Sequence, residues 1–396
     1  MKSEEIIRLA GLMGLAGLIW LMTGCSNEEE EPALRQIELP VGEVSSFATY
    51  FDEHVAMTRA WTPPTGFSAY EGDEQTIGIA FTQNGQEPIK GTFFKSGDKW
   101  HLKVLAPPDK KEEDITTGDY YLYGYIPNTA SVNMIVTDRS GANTSFSSGA
   151  KMVLENVPTV MGKDLCVVVG AKNGTDKETV TGLRRGDFKF HAEPTSKESP
   201  KNFVFLLFDH LYSALHIKMK VDADYAKVRT IKLRSLQLTT QNGEATTSKE
   251  KTTITIDLKA NDAGSDPIQS DAGNDPIQSV SYEQSGNDID AEGMSFWSSS
   301  TGKALTTEYQ DFSGHFMPKG ITKLVLTSVY DVYDKKENRI REGCKAINTM
   351  EFGELWTGQT ETIRGYRYTL NMTVTPTYLY VLSDPDLDNP TVTVSN

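Results

Sequence analysis

Cysteine is scarce in this chain: Cys25, Cys166 and Cys344 are its three thiols among 396 residues. So few, so far apart, exclude a disulfide-stapled small scaffold and a cysteine-rich zinc module. Cys166 and Cys344 are expected in different domains, each as a small buried hydrophobe and not as a bonded pair. Histidine is nearly as rare, with six. None of His54, His101, His191, His210, His216 and His315 forms a His-Glu-x-x-His pair or a metal-ligand spacing. A Gly-x-Ser-x-Gly elbow and a Walker phosphate loop are also missing. With no catalytic constellation, the expectation is no enzyme, no cofactor and no metal. His210 sits in Phe208-Asp209-His210-Leu211-Tyr212 and is read as a packed histidine bonded to backbone.

Basic residues are in deficit: 39 Lys and Arg face 54 Asp and Glu, for a net charge of −15. Neutralising phosphates takes clustered cations, so nucleic acid is excluded as a partner. Long apolar runs are lacking too. The one that stands out, Leu9 to Met22, falls short of the roughly 18 residues that would span a bilayer as a helix.

That run has the length of a signal-peptide apolar region and follows Lys2 and Arg8. It ends in Leu21-Met22-Thr23-Gly24-Cys25, small residues before a cysteine, as a lipoprotein peptidase requires. Met22 stands where Leu is more usual. Residues 1–24 are therefore expected to be a lipoprotein signal peptide, with Cys25 taking the lipid. Ser26-Asn27-Glu28-Glu29-Glu30-Glu31 follows at once, and such a block of like charge stays solvated as a tether. It resembles the acidic export signal of Bacteroidetes-type surface lipoproteins, which implies display on the outer membrane surface.

Beyond the leader the dominant period is two. Tyr366, Tyr368, Leu370, Met372 and Val374 alternate with Arg367, Thr369, Asn371 and Thr373, as a half-buried strand requires. His216 to Val221 alternates likewise. In Thr230–Leu238 the phase slips by one residue across Arg234-Ser235, the mark of a bulge. Further strands are expected at Thr76–Phe81, Tyr120–Ile126, Leu165–Gly170, Phe203–Phe208, Thr252–Leu258 and Lys323–Val332. Asn84-Gly85, Ser96-Gly97-Asp98 and Asn242-Gly243 supply turns between them. No long capped amphipathic helix accompanies them, so the fold class is all-β, a sandwich.

The polar segment Ala192–Asn202, with two prolines, is the best boundary and yields domains 60–195 and 203–396. Asp262–Ser270 is repeated almost unchanged as Asp271–Ser279, read as a duplicated surface loop, since two copies without Gly-Gly cannot stack into a calcium β-roll. Asp384, Asp386 and Asp388 lack the glycine and distal glutamate of an EF-hand, and with flanking prolines they read as a turn between two strands.

Several pieces in order carry a resemblance: the acidic lipoprotein leader, Thr58-Arg59-Ala60-Trp61, the Tyr-rich Tyr120–Pro127, Phe208–Leu211, Asp224–Ile231 and the Tyr-rich C-terminal strands. Together the chain resembles the fimbrillin family of Bacteroidales, the major and minor pilin subunits. The resemblance implies two transthyretin-like β-sandwich domains in tandem. It also implies export as a lipoprotein precursor, cleavage by an Arg-specific protease, and polymerisation with other pilin subunits into an extracellular fimbrium serving adhesion. A sandwich stripped of one strand leaves unpaired N–H and C=O groups that a neighbour's strand can satisfy.

Mapped onto this chain, the cut follows Arg59 and leaves Ala60 as the new N-terminus, making 25–59 a propeptide. Its removable strand lies within Gln36–Tyr50, in either the Ile37/Leu39/Val41 or the Val44/Phe47/Tyr50 segment. Arg35 is a second possible cut, but it would leave both segments behind. The donor strand is expected at the C-terminus, around Tyr378 and Tyr380 or around Val392 and Val394; the alternative is that this strand closes its own domain. A stalk position is favoured over membrane anchor, with the tip open. The resemblance names no surface receptor. A second class, a surface glycan-binding lipoprotein, would use the five Trp and 16 Tyr as stacking platforms.

Overall fold

The computed structural model describes residues 36–39, 43–48, 76–96, 99–105, 118–174, 184–192, 203–243, 246–261, 275–290, 293–356, 358–376 and 385–395. In chain order its strands are β1 (Gln36–Leu39), β2 (Glu43–Ala48), β3 (Thr76–Thr82), β4 (Ile89–Ser96), β5 (Lys99–Leu105), β6 (Gly118–Ile126) and β7 (Asn133–Asp138). Next come β8 (Gly149–Pro158), β9 (Cys166–Gly174), β10 (Lys189–Ala192), β11 (Phe203–His210), β12 (Ser213–Val221), β13 (Thr230–Asn242) and β14 (Lys249–Lys259). The last are β15 (Ile277–Asp288), β16 (Met294–Ala304), β17 (Gln310–Met317), β18 (Ile321–Tyr333), β19 (Arg339–Glu351), β20 (Arg367–Pro376) and β21 (Pro385–Ser395). Two single-turn helices, α1 (Tyr225–Val228) and α2 (Phe352–Leu355), complete the described elements. The all-β class read from period two is the one observed. No helix among the described residues is long and apolar enough to cross a membrane.

Four sheets form. The first runs β1-β5-β4-β3-β6-β9-β11-β2, with β10 beside β6. The others run β15-β14-β8-β7, β17-β12-β20-β21 and β16-β13-β18-β19. Neighbours are antiparallel except β2 with β11 and β12 with β20.

The burial of each strand explains its sequence. In β3, Ile77, Ile79 and Phe81 enter one core while Ala80 enters another, so both faces are covered and the strand reads as a continuous apolar run. β6 is built the same way: Leu122 and Ile126 go to one side, Tyr123 and Tyr125 to the other. The second of these cores lies between the first sheet and Met152, Leu154, Ile254 and Ile256 of the β15-β14-β8-β7 sheet. The first joins β3 and β4 to Val168 of β9 and to Val204, Leu206 and Phe208 of β11. β2 also approaches β5. The sheet thus curls so that its inner face buries itself.

The third and fourth sheets enclose one apolar core, and β12 and β20 keep the alternation. Tyr368, Leu370, Met372 and Val374 of β20 pack with Ile217 and Met219 of β12 against Ile231, Leu236 and Leu238 of β13 and Leu324 and Leu326 of β18. Each such side chain contributes about 1.5–3 kcal/mol by leaving water. The phase slip at Arg234-Ser235 is a real bulge: the register of β13 shifts between Leu233 and Ser235 against both neighbours. Arg234, at the slip, donates from Nε and Nη2 to Asp331 Oδ2 at 2.9 and 2.6 Å, while the Gly343 amide donates to the other oxygen at 2.9 Å.

The sheets do not part at the polar segment 192–202. β11, which follows it, pairs with β9, and β14 pairs with β8. Stretches on both sides of that segment therefore build the first two sheets, while the β12–β20 and β13–β18 core is drawn almost wholly from residues 215–374. Two further expectations meet a different local structure. The second copy of the repeat runs into β15 at Ile277, so its end is strand and not loop. Of residues 383–389, read as a turn, those from Pro385 on begin β21, yet the register jumps from Thr373↔Thr391 to Thr375↔Asp386, which drops 387–390 out of the pairing.

Candidate functional site

The segment Gln36–Tyr50 holds two strands, and they occupy opposite ends of one sheet. β1 pairs antiparallel with β5, Gln36 opposite Leu105 and Leu39 opposite Leu102. β2 pairs in parallel with β11, Glu43 opposite Phe203 and Ala48 opposite Phe208. Each of the two alternative segments read from the sequence is thus a strand, and each covers an edge. Beneath β2, β11 carries Val204, Leu206 and Phe208 into the curled sheet's core. Taking β2 away would leave a row of unpaired amides beside that core, the template for another chain.

At the other end of the chain, β21 closes the order β17-β12-β20-β21. Val392 lies opposite Met372 and Val394 opposite Leu370 in its antiparallel pairing with β20. Here it completes its own sheet. Tyr378, Tyr380, Cys25, Arg59 and Ala60 lie outside the described residues.

A second cluster forms where β9 meets β11, and sequence spacing does not flag it. Cys166 and His210 are register partners, and Asp164 lies two residues before Cys166. All three side chains are buried. His210 Nδ1 lies 2.5 Å from Asp164 Oδ2 and 3.5 Å from Cys166 Sγ. The histidine is packed as expected, and its ring meets a carboxylate. Burial pushes the Asp164 carboxyl above the usual carboxylate range against the pull of His210. Burial also drives the Cys166 thiol well above its ordinary value, with the Asp164 charge adding to it. A thiol so held stays protonated, and is no nucleophile. Neither Cys166, which is buried, nor Cys344, half-buried on β19, is in a disulfide among the described residues.

On the other side of β11, Asp209 accepts from Arg185 Nη2 at 2.8 Å, and Asp275 takes the same nitrogen at 2.7 Å. Arg364 reaches both carboxylates, at 3.3 and 3.6 Å. Asp164 lies just before β9 and Cys166 opens it, two residues apart in sequence. Nothing local announces that His210, or Arg364 further on, arrives beside them.

The fold and its edges define an all-β architecture in which the first and last described strands end sheets. No family model matches the chain, and no curated protein matches its sequence. Among solved structures it is similar to a fimbrial protein from Bacteroides vulgatus, at 14% identity over 80% of this chain and 92% of that one, with a TM-score of 0.31. It is similar also to the fimbrial anchor protein Mfa2 from Porphyromonas gingivalis, at 9% identity, covering 89% and 95%, with a TM-score of 0.26. A third is the tip fimbrial protein Mfa3 from the same organism, at 10% identity, covering 91% and 99%, with a TM-score of 0.25. Scores this low assign this chain neither an arrangement nor a role.

Proposed function

We propose that this chain is a structural subunit of a surface fimbria, exported as a lipoprotein through Cys25, cut after Arg59 and polymerised by strand exchange. The observation that carries the reading is positional. Both strands upstream of Arg59 sit at sheet ends, β1 on β5 and β2 on β11, so one cut detaches the covers of two edges at once. The last described strand, β21, also ends its sheet, which suits a strand that leaves to pair with a neighbour. Its partners would be other copies or other pilins, an Arg-specific protease and, while the lipid is attached, the outer membrane.

Several aromatic side chains that the glycan-binding alternative would use are interior. Trp356 is buried, and Trp297 is partly buried against the core beside Phe312. Tyr120, Tyr123, Tyr125, Tyr212 and Tyr368 are likewise interior.

The test is to treat purified precursor with an Arg-specific protease and follow assembly by gel and electron microscopy. The expected result is loss of residues 1–59 followed by polymer, abolished by Arg59→Ala and by deletion of residues 378–396. Clean cleavage without polymer, or polymer indifferent to that deletion, would sink the reading.

A further inference from the structure

We propose that Asp164, Cys166 and His210 form a zinc site buried between β9 and β11, independent of any role in a fimbria. The donor atoms of the three side chains all lie within 4.8 Å of one another. The sheet itself sets this proximity, since Cys166 and His210 are directly opposed in the antiparallel pair. Arg364 Nη1 donates to the His210 carbonyl at 3.0 Å and steadies the strand end from outside. Carboxylate, thiolate and imidazole are the donor set of zinc, whereas calcium and magnesium select oxygen alone.

A second observation points the same way. Asp164 Oδ1 is buried and has no hydrogen-bond partner among the described residues, although Oδ2 faces His210. That oxygen is the carboxylate donor we assign to the metal, beside the thiol and the imidazole. Donors around tetrahedral zinc stand about 3.3–3.8 Å apart, given bonds of roughly 2.0–2.3 Å. The 3.5 Å between Cys166 Sγ and His210 Nδ1 already fits. The carboxylate must turn to offer Oδ1, which separates it from the ring.

Charge is consistent with a dication. Asp209 and Asp275 are matched by Arg185 and Arg364 on the far side of β11. At the site itself, ionised Asp164, a Cys166 thiolate and neutral His210 carry two negative charges, which one Zn²⁺ cancels. Binding requires the thiol proton to leave to solvent.

The test uses cobalt(II) as the spectroscopic probe on the full chain carrying Cys25→Ser and Cys344→Ser, which leaves Cys166 as the sole thiol. Because the site is buried, the protein is refolded with the metal present. The expected result is one Co²⁺ per chain, tetrahedral d–d bands, a near-ultraviolet thiolate-to-cobalt band, and displacement by Zn²⁺. His210→Gln should weaken binding by at least the order of 10–100-fold that lost supporting contacts cost a metal site. If that variant fails to fold, the sole-thiol chain decides alone. Absence of stoichiometric metal after refolding, or bound Co²⁺ without the thiolate band, overturns the proposal.

Discussion

Arg364, in the loop before β20, places Nη1 3.3 Å from Asp209 Oδ2 and 3.0 Å from the His210 carbonyl oxygen at the end of β11. The same Asp209 oxygen takes Arg185 Nη2, which is shared with Asp275 at the start of β15. Four stretches distant in sequence therefore meet in one charge cluster, where the first sheet hands over to β12. Nearby, the Gly365 amide donates to the Tyr212 carbonyl and the Ala214 amide to the Tyr366 carbonyl. Side chains and backbone together tie the last part of the chain to this handover.

Asp209→Asn keeps the shape of the side chain and leaves the two guanidiniums with Asp275 alone. Stability should fall by roughly 3–5 kcal/mol, as when one partner of a buried pair is removed, read from a denaturant midpoint at unchanged slope. Burial pushes the Asp209 carboxyl up, but the charges of Arg185 and Arg364 outweigh it and hold it well below the usual range. With the folded value depressed, its contribution is present above about pH 4 and is lost as pH falls further. The acid limb of the wild-type stability curve should flatten in the variant; an unchanged limb would mean the cluster is not coupled to folding.

Release of residues 1–59 should be visible strand by strand. Amide exchange should rise after cleavage at both uncovered edges, Phe203–Phe208 of β11 and Leu102–Leu105 of β5. A synthetic peptide of residues 385–395 should restore protection at the edge that accepts it. Exchange that stays unchanged at both edges contradicts the assignment of either strand.

Gly149 should tolerate no side chain. Its φ is +114°, and a Cβ there would stand 1.9 Å from the Leu258 carbonyl oxygen, where β8 pairs with β14. Gly149→Ala should cost at least the roughly 1–3 kcal/mol of a strained backbone, since the carbonyl must also shift. A thermal midpoint equal to wild type would refute the close approach.

His315 should make the protein sensitive to mild acid. Its ring stacks on Phe296 with centroids 4.5 Å apart, and burial lowers its basicity despite backbone contacts from Ser295 and Gly314 that oppose the shift. The unfolded ring takes a proton first as pH falls below about 6.5, so stability declines from there until the buried ring also protonates. His315→Phe should remove that part of the decline below about pH 6.5, measured by denaturant unfolding across the range.

Strands covered on one face were legible because period two survives in their residues: Tyr368 to Val374 of β20 is the clearest. The slip at Arg234-Ser235 was legible for the same reason. β15 and β16 passed unread, being largely exposed and rich in Ser, with little apolar signal to count. The division at 192–202 was a fair reading of composition, but hydrogen bonding follows edges that are free and not sequence order, and β11 found its partner in β9.

The sequence by itself determined the all-β class, the strand phases, the bulge and the scarcity of thiols, since these depend on neighbouring residues and on composition. Tertiary structure alone decided that β1 and β2 cap opposite ends of one sheet, that β21 ends another, and that Asp164 and Cys166 meet His210. Such meetings depend on strand order and register between stretches dozens of residues apart, which local period and propensity do not encode.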